Sequence, residues 1–216
     1  LAIAHELANT FTGFDLVILE KNSRCGQEIS SRNSEVIHSG IYYPANSLKS
    51  ELCLAGNRLL YQFCTANQIP HQQLGKLIVA NGDAEIKAIT DLLQRGASLE
   101  LPLKLLNRQQ LKSIEPHVEA EAAIFAPTTG IIAAEKYLRR LYQIAQHNGG
   151  MFVFNSEVIT IEPTSDGFIL ATNFETLKTQ ILINAAGLFS DHVAAMAGIS
   201  IADYHSRLHY CKGEYY

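Results

Sequence analysis

The run SSRNSEVIHSGIYYP, residues 30–44, holds a dense set of side chains that could do chemistry. His38 is the only group in it that titrates near neutrality, and removal of a hydroxyl proton needs such a base. A histidine hydrogen-bonded for structure would have the same residue type. Ser30, Ser31, Arg32, Asn33 and Ser34 stand just ahead of it, a cluster of donors that could hold a pyrophosphate. Tyr42 and Tyr43 could stack on a ring or cover it, and could equally serve as packing residues.

Three further groups could join them. Glu20 ends the apolar run DLVILE, and a carboxylate at such a strand end can accept hydrogen bonds from an adenosine ribose. Such an acid stands about 20 residues beyond a GxGxxG motif, which here would fall ahead of Leu1. A solvated strand-end glutamate would look the same, since most glutamates are exposed. In ILINAAGLFSD, 181–191, an apolar run meets Ala185, Ala186 and Gly187 and then a helix. Small residues let a ligand approach the backbone there, and also suit tight strand–helix packing. In YCKGEYY, 210–216, Gly213 between Lys212 and Glu214 permits close approach, with tyrosines that could line a pocket or form an ordinary aromatic face.

The elements that must position these groups follow from periodicity. LAIAHELANT has helical spacing, broken near Gly13, and DLVILEK reads as a strand buried on both faces of a parallel sheet. Residues 48–67 predict a helix with apolar positions at Leu52, Leu59, Leu60 and Phe63. GKLIVA predicts a strand, DAEIKAITDLLQRGAS an amphipathic helix with Asp83 as N-cap, and NRQQLKSIEP a short helix stopped by Pro116. AAIFAPTTG predicts a strand and turn, and AAEKYLRRLYQIAQHNGG a helix closed by Gly149 and Gly150. MFVFN, a hairpin turning at Ser165–Asp166–Gly167, the buried strand TQILINAAG and the helix LFSDHVAAMAG complete the series, ahead of an aromatic strand at CKGEYY. Alternating helices and buried strands predict an α/β fold, with residues 71–130 of different texture forming a second lobe.

The 216 residues are 47% hydrophobic and 18% charged, enough for a large core. A net charge of −4 gives no basic footprint for nucleic acid. No apolar run approaches the roughly 20 residues of a membrane span. Cys25, Cys53, Cys64 and Cys211 lie far apart, as reduced thiols of a cytoplasmic protein would, and no metal site is expected. The opening on Leu1 within a helix and the run-out at CKGEYY predict a piece of a longer chain.

In chain order, VILEK, SSRNSEVIHSGIYYPANSLKSELCLAGNRLLYQFC, GKLIVA, EPHV, IFAPTTGII, INAAGLFSDHVAAMAG and KGEYY resemble the FAD-dependent oxidoreductases of the D-amino-acid-oxidase (glycine oxidase) superfamily. Within it they most resemble the L-2-hydroxyglutarate oxidase/dehydrogenase branch. The resemblance covers nearly the whole chain. It implies a Rossmann-like FAD domain (1–70 and 131–200) and an inserted mixed-sheet substrate domain (71–130 and 201–216), truncated at both ends. Without the glycine-motif strand, the 216 residues are expected to hold FAD poorly.

Carried over by position, the resemblance implies that Glu20 binds the ribose with Lys21 near the adenosine. Arg32, Asn33 and Ser34 run beside the pyrophosphate and flavin, and His38, Ser39 and Gly40 lie near the isoalloxazine ring. Val158 touches the adenine through its backbone, and Ala185, Ala186 and Gly187 turn against the FAD. Lys212, Gly213 and Tyr215 reach the substrate side, with Tyr42 and Tyr43 as substrate walls. Lys212 stands where many relatives carry arginine, and loses the two-pronged grip on a carboxylate. The implied reaction oxidises a 2-hydroxy acid by hydride transfer to flavin N5, with His38 as base or orienter. Its electrons pass to oxygen or quinone, the latter with peripheral membrane contact. Amine or amino acid oxidation and a non-catalytic nucleotide-binding module are the alternatives.

Overall fold

The computed structural model describes residues 1–214. The chain divides into two compact units, one made of residues 1–32 with those from 141 onward, the other of residues 33–140. The first unit opens with α1 (Ala2–Thr10), which ends where Phe11 takes extended backbone. Gly13, at φ +88, turns the chain toward β1 (Val17–Glu20).

The second unit begins at β2 (Val36–Ile37). Then α2 (Leu48–Ala66) starts at Ser47, whose hydroxyl accepts from the Ser50 amide at 3.2 Å. β3 (His71–Gln72), β4 (Leu77–Ala80) and α3 (Gly82–Ser98) follow, then β5 (Lys104–Asn107), α4 (Arg108–Ile114), β6 (Ala122–Phe125) and β7 (Gly130–Ile132). Asn107 and Gln110 cap α4 reciprocally, each side chain accepting from the other's amide at 2.9 Å. Two antiparallel sheets result, ordered β2-β7-β3 and β4-β6-β5. Ile37, Cys64, Ile69 and Ile132 form one core under α2; Ile41, Ala80, Ile89 and Ile124 form another under α3.

The division between units falls within α5 (Ala134–His147). Gly149 at φ +94 ends α5, with the Gly150 amide donating to Ala145 O at 2.8 Å and that of Gly149 to Gln146 O at 3.2 Å. Those two bonds make a Schellman cap. β8 (Met151–Phe154) then pairs in parallel with β1, Glu20 opposite Phe154. β9 (Val158–Thr164), β10 (Gly167–Thr172) and β11 (Thr176–Thr179) form an antiparallel meander, turning where expected between Thr164 and Gly167. Pro163 is tolerated because β9 is an edge strand of that sheet. A 3-10 turn at Gly187–Phe189 leads into α6 (Ser190–Met196).

Several expectations are corrected. Residues 181–186 form no strand, and Ile181 and Ile183 are exposed, because no described strand offers that backbone a ladder. For the same reason β1 is only partly buried: β8 is its one partner among the described residues. Residues 210–214 are likewise not a strand. The N-cap position of α3 is Asn81, and Asp83 lies inside the first turn, where its charge complements the helix dipole. On α2, Leu60 and Phe63 pack on the core, but Leu52 and Leu59 face solvent.

Candidate functional site

In the second unit, β2 and β7 carry the site between them. Their register pairs Val36 with Ile131 and Ile37 with Gly130. One step further, this register brings His38 level with Thr129. Gly130 is required on the β7 side, since a Cβ there would overlap Tyr61 Oη and the carbonyl of Gln72. Both loops are then tied to α2. Asn57 Nδ2 donates to His38 O and to Thr128 O, each at 2.9 Å. Tyr61 Oη donates to Thr128 O at 3.2 Å, and Cys53 Sγ to His38 O at 3.7 Å. Cys53, Asn57 and Tyr61 are spaced by four, so they share one helix face.

This clamp presents a cleft lined by His38, Ser39, Gly40, Ile41, Tyr42, Tyr43, Lys76 and Thr129, with a volume of about 10 Å³. That is room for about one water-sized group. Gly40 turns the loop at φ +83, and a Cβ there would press on Leu54 Cδ2 at 3.3 Å. Lys76 Nζ lies 4.4 Å from the Tyr42 ring centroid, and Lys49 Nζ 4.5 Å from that of Tyr43. Partial burial, reinforced by the Lys76 ammonium, lowers the His38 pKa and favours its neutral, proton-accepting form. Ahead of the cleft, Asn33 Oδ1 accepts from the Glu35 amide at 2.8 Å, while Asn33 and Ser34 lie at the surface.

In the first unit, Glu20 ends β1 with Oε1 accepting from the Asn22 amide at 2.9 Å and Asn22 Nδ2 at 3.0 Å. Among the described residues Oε2 has no donor. Lys21 pairs with Glu28 at 3.0 Å and lies 3.5 Å from the Phe189 ring centroid, which brings the end of β1 against the 187–189 turn. These contacts, with Asn22 and Arg32, hold the Glu28 carboxyl below the usual range. The Ser156 amide donates to Glu20 O at 2.9 Å, placing the start of β9 at Val158 close by. Ala185 and Ala186 lead to Gly187, which has φ +57 and open space where a Cβ would stand. Tyr210 Oη donates to Leu188 O at 3.0 Å, and Lys212 pairs with Glu214 at 2.7 Å beside Gly213. Tyr215 lies outside the described residues.

Glu20, Lys21, Val158 and Gly187 are thus gathered in the first unit. Glu20 Oε2 is an acceptor at the carboxyl end of a parallel strand, and Gly187 leaves room for close approach, so the residues fit the ribose end of a dinucleotide. In the second unit His38 to Tyr43 are gathered. Reading the sequence missed Asn57, Lys76 and Thr129. The four-residue spacing of Cys53, Asn57 and Tyr61 was a signal for the first, whereas Lys76 and Thr129 depend on strand pairing. Among the described residues no cluster of ligating side chains could hold a metal, and no helix is long and apolar enough to cross a membrane.

The chain is 31% identical to L-2-hydroxyglutarate dehydrogenase of Escherichia coli (strain K12), over 92% of this chain and 47% of the relative. It is 36% identical to that of Indibacter alkaliphilus (84% and 46%) and 34% identical to the human mitochondrial L-2-hydroxyglutarate dehydrogenase (92% and 46%). Its fold matches FAD-bound L-alpha-glycerophosphate oxidase from Mycoplasma pneumoniae with a TM-score of 0.84 at 28% identity, over 91% of this chain and 53% of that one. Glycine oxidase from Geobacillus kaustophilus, at 21% identity, shares the fold with a TM-score of 0.83 over 92% of this chain and 55% of that one. The chain spans about half the length of the curated relatives it matches. The model of the FAD-dependent oxidoreductase family DAO matches residues 1–216. The chain belongs to the DAO family of FAD-dependent oxidoreductases.

Proposed function

We propose that this chain forms part of an enzyme that oxidises the Cα–OH of a 2-hydroxy acid to a ketone, converting L-2-hydroxyglutarate to 2-oxoglutarate. The observation that carries the reading is His38, an exposed residue whose backbone carbonyl Asn57 holds at the cleft and whose neutral form is favoured. The names of the relatives support the substrate.

FAD, when bound, supplies the acceptor at N5 for the hydride that leaves Cα. His38 accepts the hydroxyl proton, so two electrons and two hydrogens leave the substrate together. Asn57 holds the His38 backbone in place. Ser39 and Gly40 would face the ring, and Tyr42 and Tyr43 would wall the substrate. Glu20 would accept from the ribose hydroxyls of FAD, with Lys21 and the Val158 backbone as the residues that would hold the adenosine. Arg32, Asn33 and Ser34 are the donors that would hold the pyrophosphate, and Ala185, Ala186 and Gly187 would allow it close approach. Lys212 is the residue assigned to a substrate carboxylate, and its exposed pair with Glu214 would be released at little cost. In this reading residues 1–70 and 131–200 serve the cofactor, and 71–130 with 201–216 the substrate. The final electron acceptor would be oxygen or a quinone, the latter met at a membrane surface.

The test is anaerobic bleaching of the FAD-loaded holoenzyme with L-2-hydroxyglutarate, D-2-hydroxyglutarate, glycine and L-proline. Bleaching by L-2-hydroxyglutarate is expected. Bleaching by the amino acids alone would replace the reading with amine oxidation. A yellow protein bleached by none would point to a nucleotide-binding module.

A further inference from the structure

Lys76 reaches the cleft from the segment just before β4. It is the one cation lining the cleft among the described residues. Backbone pairing fixes its place: the Lys76 amide donates to Ala126 O at 3.2 Å and the Ala126 amide returns to Lys76 O at 2.8 Å. The adjoining Gly75 amide donates to Thr129 O at 2.9 Å. Among the described residues no carboxylate lies within ion-pair distance of Lys76 Nζ. Its ammonium rests over Tyr42, a face that offers attraction but no acceptor oxygen.

Thr129 completes the arrangement. It is 4% exposed, it lines the same cleft, and among the described residues its hydroxyl has no hydrogen-bond partner. Buried hydroxyls are ordinarily satisfied, so an orphan beside an unpaired ammonium calls for an external acceptor. An anionic oxygen is the acceptor that both lack: a threonine hydroxyl donates once, and an ammonium donates and supplies the charge. The volume of about 10 Å³ admits one such oxygen, and the rest of the molecule stays outside.

We propose that Lys76 and Thr129 form a carboxylate subsite beside His38, which selects acids as substrates. This rests on the 2-hydroxy-acid reading of the cleft. The subsite holds a carboxylate oxygen while the hydroxyl-bearing carbon is presented to the neighbouring imidazole.

The test uses the FAD-loaded holoenzyme and glutarate, a dicarboxylate with no hydroxyl to oxidise, with binding read by calorimetry and by the flavin absorption change. Lys76→Met is expected to weaken glutarate binding by about 10- to 100-fold, the worth of a hydrogen bond to a charged group. Lys76→Arg is expected to recover part of that loss, and Thr129→Val to weaken binding by about 3- to 10-fold. FAD content and Tm serve as controls for folding. A glutarate Kd within twofold of wild type in Lys76→Met would overturn the proposal, as would a loaded wild type that binds no glutarate. If glutarate binds through Lys76 but no 2-hydroxy acid bleaches the flavin, the proposed reaction falls and the subsite stands.

Discussion

Asn57 is the strongest test of how the site is held. Its amide nitrogen spends both hydrogens on carbonyls of different loops, His38 O and Thr128 O, at 2.9 Å each. Asn57→Ala removes both bonds. At about 1 kcal/mol net for each, the loss is about 2 kcal/mol. For a chain of this size that lowers Tm by about 4–8 °C. Asn57→Asp is nearly the same shape but turns a carboxylate toward two carbonyl oxygens. It is therefore expected to destabilise more than Asn57→Ala, although it keeps more atoms. Thermal unfolding followed by circular dichroism, on holoenzyme at fixed FAD, measures both variants. Because the His38 loop is released, the rate of flavin reduction by substrate is expected to fall in parallel. A Tm for Asn57→Ala within about 1 °C of wild type would refute the clamp, and so would Asn57→Asp being more stable than Asn57→Ala.

Other consequences are checked in the same way. Glu20→Ala removes the acceptor at the end of β1 and is expected to raise the Kd for FAD about 10-fold, read by flavin fluorescence. Gly130→Ala drives a Cβ into Tyr61 Oη and the Gln72 carbonyl, and is expected to cost about 3 kcal/mol, seen as a Tm lower by about 6–12 °C. Burial and the Lys76 charge both lower the His38 pKa, so Lys76→Ala removes only the second cause and lets that pKa rise. In Lys76→Ala, flavin reduction at saturating substrate is then expected to fail at a higher pH than in wild type as the solution is acidified.

Local signals carried much of the fold. The helix stop at Gly149 and Gly150, the turn after Thr164 and the existence of β1 and β8 each follow from neighbouring residues or from simple apolar runs. ILINAAG failed because a strand is a property of two segments. Its apolar run is strand-like, yet no described partner pairs with it. α2 shows another limit: Leu52 and Leu59 match a helical apolar face, but packing chose Leu60, Phe63 and Cys64. The site divided in the same way. His38, Gly40, Tyr42 and Tyr43 were legible because they lie in one run of sequence. Asn57, Lys76 and Thr129 join them only through α2, the segment before β4 and the β7 register, which a linear reading does not supply.

The most direct measurement is the pH dependence of anaerobic flavin reduction by L-2-hydroxyglutarate, in wild-type holoenzyme and in His38→Gln. A base that acts when neutral gives a wild-type rate that is full at neutral pH and falls on acidification. The fall should lie below the ordinary histidine value of about 6.5, because the His38 pKa is lowered. His38→Gln is expected to be slower by about 10²- to 10⁴-fold and to lose that acid limb. An unchanged rate in His38→Gln, with the acid limb intact, would contradict the role given to His38.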